Sequence, residues 1–355
     1  MKKRLVVCGP LAPPYGGMAT FMEDLYALLR QSARPFTVLA FSRGQIHRPH
    51  VVQMAPKPWY VFQWAWHLFA ARVCLDSFEF CFEYPNWKLA YYWGLLKRLY
   101  RFRWVKMVHN GSLPARYPGF SPRQKSVFRQ MLGQVDALVT TSEELADWFR
   151  TQHGFQKEIR MIGPLLPVEG RAEEAGPLPA VVTRFVRQYE KKVVSVGVFD
   201  QAYGFDQIVR VVEDLRAGHG LDIGLLLIDC TFTNDPAYEK QITTGRDWVV
   251  PVAQLSNPAV GAVMEQCDAF VRATHYESYG LSRVEALFSG LPVVATDVGE
   301  TRGMLLYQYG DLEGLRSQLE RALFSPPEAQ IAEGADYYRR QAAANFAKLM
   351  AVLED

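Results

Sequence analysis

The chain has 355 residues, 49% hydrophobic and 21% charged, which supplies apolar material for two domain-sized cores and excludes an intrinsically disordered polypeptide. Its 39 lysines and arginines stand against 37 aspartates and glutamates, so the chain as a whole lacks the excess positive charge of a non-specific nucleic-acid binder. No nucleic-acid partner is expected.

Short apolar runs alternate with longer amphipathic stretches from the first residues onward, the pattern of parallel strands joined by crossover helices. Met1 to Cys8 carries basic residues and an apolar run too short for a secretory leader, and is read as a first strand. Leu5 to Cys8, Phe36 to Ala40, Trp104 to Val108 and Ala137 to Thr140 are expected as strands of one sheet. Helices are expected at Ala19 to Arg30, Gln124 to Leu132 and Ser142 to Thr151, the last opened by Ser142 with Glu143 and Glu144. Trp59 to Leu75 comes nearest to a membrane span, but Gln63, His67 and Arg72 interrupt it and it falls short of the ~20 apolar residues required.

Glycines and prolines crowd together from Gly163 to Pro179, as in a connection between domains. A second series follows, with strands expected at Lys192 to Val198, Ile223 to Asp229, Trp248 to Val252, Ala269 to Arg272 and Pro292 to Thr296. Its helices open near Gly204, Val260 and Ser282. The expected organisation is a first Rossmann-like domain over residues 1–165, a linker over 166–190, a second Rossmann-like domain over 191–334, and a helical tail over 335–355 able to cross back to the first. Two doubly wound α/β domains of this kind are expected to face a cleft formed by the carboxyl ends of their strands. The five cysteines (Cys8, Cys74, Cys81, Cys230, Cys267) are odd in number and lack metal-ligand spacing, which points to free thiols in a reducing compartment and to no zinc.

The strongest chemical signal is the run from Glu277 through Ser278, Tyr279, Gly280, Leu281 and Ser282 to Glu285, followed by Gly290-Leu-Pro-Val-Val-Ala-Thr-Asp297. A glycine between strand and helix lets the backbone approach a ligand, and a helix starting there aims unpaired amides at an anion. Tyr279 to Ser282 can hold a diphosphate in this way, with Glu277 in the preceding loop and Glu285 about a turn into the helix, both within reach of flanking hydroxyls.

This segment resembles glycosyltransferase family 4, whose members have the GT-B fold and carry a Glu-x7-Glu pattern in a stretch very like Phe270 to Asp297. The resemblance is dense there and thinner, though continuous in order, over nearly the whole chain. It implies a retaining, metal-independent sugar transfer from a nucleotide sugar, without a bound cofactor. Glu277 would contact the donor sugar and Glu285 the ribose. A UDP-sugar is the first expectation for the donor and a GDP-sugar the second. The resemblance also implies a donor-side role for the proline-rich loop ending in Gly16 and Gly17, which by itself is equally well a tight turn. His109, after the apolar run Trp104 to Val108, would lie beside the donor sugar; a lone histidine is as often structural.

Two departures stand out. Where the family has Gly-Arg-Leu and then Lys-Gly, this chain has Gly197-Val198-Phe199 and Tyr203-Gly204, so both usual diphosphate cations are missing. Arg272, at the end of the strand before Glu277, and then Arg302 are the expected replacements; alternatively Arg272 pairs with an acid such as Asp268. The rivals are a non-catalytic GT-B binding subunit and a nucleotide-sugar epimerase or hydrolase.

Tyr91, Tyr92 and Trp93 precede Lys97, Arg98, Arg101, Arg103 and Lys106, a mixture that suits an anionic membrane surface or, equally, a half-buried helix covered by lysine and arginine stems. Trp59, Tyr60, Phe62, Trp64 and Trp66 leave the same choice open. The acceptor is expected to be a glycan or lipid-linked, as in bacterial surface polysaccharide or glycolipid synthesis, and the location cytoplasmic, at or near the inner face of the membrane.

Overall fold

The computed structural model describes residues 4–12, 17–41, 46–55, 59–78, 82, 84–109, 111, 113–165, 176–230, 235–253, 255–277 and 279–354. The chain divides into two units, Met1–Pro167 with Gln341–Asp355, and Val168–Arg340.

The first unit is built from β1 (Arg4–Gly9), α1 (Gly17–Gln31), β2 (Phe36–Ala40), β3 (Val51–Gln53), α2 (Tyr60–Phe69), β4 (Ala71–Asp76), α3 (Trp87–Tyr100), β5 (Arg103–Val108), α4 (Leu113–Arg116), α5 (Pro122–Gln134), β6 (Ala137–Thr140), α6 (Glu143–His153) and β7 (Glu158–Met161). Its seven strands are parallel in the order β3-β2-β1-β4-β5-β6-β7. Alternate residues of each strand enter opposite cores, because successive side chains of a strand point to opposite faces. Val6 and Cys8 join a core with Trp93, Trp104 and Phe128, while Leu5 and Val7 join one with Met22, Leu25, Leu349 and Leu353. Trp93 stacks on Trp104 with ring centroids 4.7 Å apart, and Trp64 reaches Trp93 at 5.4 Å, which ties α2 and α3 to the sheet. Each such ring buried contributes roughly 2–3 kcal/mol.

The segment Trp59 to Leu75 is no span: α2 stops at Ala70 and the chain turns into β4. Among the described residues, no helix is long and apolar enough to cross a membrane. The side chains of Lys97 to Lys106 divide between the two readings open for them. Lys106 is buried on β5, 3.7 Å from the buried Asp76 carboxylate and donating to the carbonyls of Asp76 and Phe78. Lys97 donates to Asp136 and the Gln134 carbonyl, and Arg103 to Glu158 and the Val352 carbonyl. Arg98 and Arg101 stay exposed.

The second unit contains α7 (Ala180–Gln188), β8 (Lys191–Gly197), α8 (Phe205–His219), β9 (Ile223–Asp229), α9 (Pro236–Thr243), β10 (Val249–Ala253), α10 (Asn257–Met264), β11 (Ala269–Arg272), α11 (Leu281–Phe288), β12 (Val293–Thr296), β13 (Leu305–Tyr307), α12 (Leu312–Phe324) and α13 (Glu328–Glu354). Its parallel sheet has the order β10-β9-β8-β11-β12-β13. Residues 180–188 were expected in a linker; instead they form α7, because Val182 and Phe185, three apart, bury one face of a helix in this unit. The tail expected from 335 begins at Glu328 as part of α13, and its residues from Gln341 onward group with the first unit, where Leu349, Val352 and Leu353 enter the core.

Candidate active site at the carboxyl ends of the second sheet

In a doubly wound sheet the strand order reverses between two central strands, and the crevice beyond their carboxyl ends is the usual ligand position. In the second unit that point lies between β8 and β11. β8 ends at Gly197 and β11 at Arg272, and Cys230 follows β9 with its amide bonded to the Gly197 carbonyl at 2.9 Å.

Arg272 is held from three sides. Its Nε and Nη2 donate to the same Glu277 oxygen, Oε2, at 3.1 and 2.9 Å. Its Nη1 donates to the Val196 carbonyl, and its guanidinium lies over the Tyr203 ring, 4.7 Å from the centroid. The ring is brought there by Gly204, whose φ of 63° and close approach to β11 admit no side chain: a Cβ would stand 2.2 Å from the Ala273 carbonyl oxygen. Asp268, the alternative partner considered for Arg272, is occupied by Lys192 at 3.1 Å and accepts the Lys192 amide.

Sequence reasoning missed Arg283. It is fully buried in α11, with Nη1 donating to the Val298 carbonyl at 2.9 Å and Nη2 standing 3.7 Å from Glu277 Oε2. Burial lowers its pKa, and Glu277 acts against that shift. The available signal was one cation among Val284, Ala286 and Leu287 on a helix face otherwise apolar. Arg272, Arg283 and Glu277 together carry one net positive charge.

Gly280 caps α11 in the left-handed region at φ 76°, with no side-chain cap, so the leading amides keep no side-chain acceptor. A Cβ on Gly280 would lie 2.6 Å from Arg283 Nε, so the glycine permits both the turn and the buried arginine. Leu281 and the buried Ser282 open the helix, and Glu285 lies half-buried one turn in. Cys230 is pushed up to about 11 by burial; Arg272 opposes that shift, and Asp229 and Glu285 add to it. Burial also raises Tyr203. The site therefore collects residues from four strand ends and one helix start.

Other expected residues lie elsewhere. Tyr279 is 6.0 Å from the Tyr338 ring, and burial raises its pKa. The Arg302 guanidinium, roughly half-exposed, sits over the Tyr337 ring at 4.4 Å and 3.9 Å from Glu333, so its partners are on α13. Gly16 and Ser278 lie outside the described residues, and Gly17 opens α1. Among the described residues, no group of three or more His, Cys, Asp and Glu side chains is placed to hold a metal ion.

In the first unit, β1 and β4 flank the equivalent reversal. Ser77 follows β4 and shares a 2.5 Å hydrogen bond with His109 Nε2 after β5. Burial, reinforced by Lys106, pushes His109 down to about 3, so the ring is neutral at pH 7. It edges against Phe21 with centroids 4.9 Å apart.

Two doubly wound parallel-sheet units, the second with an arginine cluster and a glycine-capped helix at its strand reversal, have the GT-B architecture. Residues 184–306 match the family model described as Glycosyl transferases group 1. No curated protein matches the sequence. HepE from Anabaena, solved in complex with UDP-glucose, shares 16% identity with a TM-score of 0.73, each chain covered to 99%. Sucrose-phosphate synthase from Thermosynechococcus elongatus shares 17% identity with a TM-score of 0.67, over 97% of this chain and 95% of that one. A UDP-forming trehalose-phosphate synthase from Burkholderia xenovorans shares 14% with a TM-score of 0.67, over 100% and 99%.

Proposed function

We propose that the chain is a retaining glycosyltransferase of the family 4 type, moving a sugar from a nucleoside-diphosphate donor, UDP-linked in the first instance, to a glycan or lipid-linked acceptor in bacterial surface polysaccharide or glycolipid synthesis. The reading is supported above all by Arg272. Its guanidinium is fixed by Glu277, the Val196 carbonyl and the Tyr203 ring, and a planar fork is the cation suited to phosphate oxygens. The α11 amides contribute about half a positive charge beside it. The two usual cations, replaced here by Val198 and Tyr203, are thus compensated by Arg272, whose position over the Tyr203 ring depends on that same replacement.

In the proposed reaction the acceptor hydroxyl attacks the anomeric carbon from the side of the departing diphosphate. The new carbon–oxygen bond forms as the bond to the phosphate oxygen breaks, and the leaving phosphate takes the hydroxyl proton. The protein positions the reactants and stabilises the charge of the leaving group. Glu277 addresses the donor sugar, Glu285 the ribose hydroxyls, and neutral His109 offers a hydrogen bond without acting as an acid. The leaving charge is carried by amides and side-chain cations, so turnover survives chelation of divalent ions.

The deciding experiment is a thermal-shift screen of UDP- and GDP-sugars followed by nucleotide release with and without acceptor. A ligand at about a hundred times its Kd raises stability by ~3 kcal/mol. Stabilisation with acceptor-dependent release supports the proposal. Binding without turnover assigns a non-catalytic subunit, release without acceptor a hydrolase or hydrolysing epimerase, and conversion of the donor sugar without release an epimerase.

A further inference from the structure

Helix α2 is apolar on both faces. Trp64 and Leu68 are buried against the sheet, whereas Trp59, just before the helix, and Phe62, Trp66 and Phe69 are 64%, 66%, 77% and 70% exposed. Steps of three, four and three residues place these four rings on one stripe. On α3, Trp93 and Leu96 face the core while Tyr92, Leu95 and Leu99, again at helical spacing, face outward. The two helices meet through Trp64 and Trp93, and Phe69 touches Tyr100 at 5.5 Å, so the outer stripes adjoin. A helix apolar all round belongs in a core or a bilayer, and the outer stripes here have no core to enter.

Charge identifies the partner. Residues 25–75 and 84–135 contain no aspartate or glutamate, and the second stretch contains ten lysines and arginines. Residues 1–167 hold 22 basic against 10 acidic side chains, and residues 168–355 hold 17 against 27, so the near-zero net charge conceals two opposite halves. A groove of about 1020 Å³ beside α3 is lined by Lys97, Arg98, Arg101, Arg103 and Lys157, and its one acid, Asp136, is paired with Lys97. A second copy of so basic a face would be repelled.

We propose that the outer faces of α2 and α3 insert into the surface of an anionic phospholipid membrane, the Trp59–Phe62–Trp66–Phe69 stripe entering the acyl boundary and Arg98 and Arg101 binding headgroup phosphates. Trp and Phe on one side with cations at the rim is the composition of interfacial helices. The proposal goes beyond the donor chemistry and does not rest on it.

The test is cosedimentation of the full chain with vesicles of phosphatidylglycerol and phosphatidylcholine, compared with phosphatidylcholine alone. Binding to the anionic vesicles is expected to be about tenfold stronger and to weaken between about 50 mM and about 500 mM salt. Phe62→Ser with Trp66→Ser, and separately Arg98→Glu with Arg101→Asn, each lower partitioning about tenfold while thermal unfolding and the nucleotide-induced thermal shift stay as in wild type. Asparagine is chosen at Arg101 because that residue has φ 51°. Equal binding to both vesicles, or aromatic variants that bind as wild type, overturns the proposal. So does self-association in the ultracentrifuge that Trp66→Ser abolishes, which would assign the face to a second copy. The vesicle assay requires no donor, so its failure is distinct from failure of the transferase reading.

Discussion

Arg272 and Glu277 hold each other: two N–H donors of the arginine converge on one carboxylate oxygen at 3.1 and 2.9 Å, with both side chains largely out of water. The residue expected to meet the diphosphate and the residue expected to meet the sugar are thus mutually oriented before any ligand arrives. A pair so desolvated is strongly directional, because its geometry must offset the loss of hydration.

Arg272→Ala is expected to lower turnover about a hundredfold with the fold intact, comparable to removal of one strong transition-state donor. Arg272→Lys should recover little, since a point charge cannot replace the fork or keep the cation over Tyr203. Arg302→Ala, whose side chain pairs with Tyr337 and Glu333, should stay within about threefold of wild type. Steady-state kinetics of the three folded variants decide the matter; equal effects at both positions would remove Arg272 from the diphosphate.

Glu277→Gln leaves Arg272 and Arg283 without their shared anion, so free nucleoside diphosphate should bind as well as to wild type or better, while transfer falls about a hundredfold. Glu285→Gln should weaken donor and free nucleotide alike, by about tenfold, because its proposed partner is the ribose. Calorimetric titration with free nucleotide separates the two. Equal loss of affinity in both variants contradicts the assignment.

Arg283→Leu is expected to cost about 3 kcal/mol of stability, since it strips donors from the Val298 and Thr296 carbonyls and a cation from Glu277. Adding Glu277→Gln should return part of that loss, giving a coupling of about 1 kcal/mol in a double-mutant cycle by urea unfolding. Additive losses would mean that Arg283 supports the loop after β12 and does not position Glu277.

His109 ties stability to pH with a defined sign. Its folded pKa, about 3, lies below the ordinary 6.5, so between these values the unfolded chain binds a proton that the folded chain refuses. Stability from this group is complete above pH 6.5 and declines as pH falls toward 3. Urea unfolding of wild type and His109→Gln at pH 7 and about pH 5 should show a smaller acid loss in the variant. A ring resonance that titrates near 6.5 in the folded protein would refute the neutral assignment.

Most strands of both sheets were legible in the sequence because a buried parallel strand is a short apolar run bounded by breakers, and this signal is local. Phe36–Ala40, Ala137–Thr140, Ile223–Asp229 and Ala269–Arg272 are read directly in this way, as is the glycine turn before α11. Four strands were not: β3 and β13 have three residues each and cannot establish a period, β7 is a half-exposed edge strand, and β4 follows the apolar α2 with no breaker between them. The presence of a cation at the end of β11 was equally plain. Its partner was not: Asp268 and Glu277 lie four and five residues away along the chain, and only the folded ends of β8, β9 and β11 show that Lys192 takes the first and leaves Arg272 to the second. The same holds for the basic run after Tyr92. Composition fixed its charge, but the pairing of strands sends Lys106 inward to Asp76, turns Lys97 and Arg103 to internal acceptors, and leaves Arg98 and Arg101 exposed on α3 and at its end. Apolar periodicity acts over a few residues and survives in one dimension, whereas the choice of partner for a charge depends on which distant segments the burial of that apolar surface brings together.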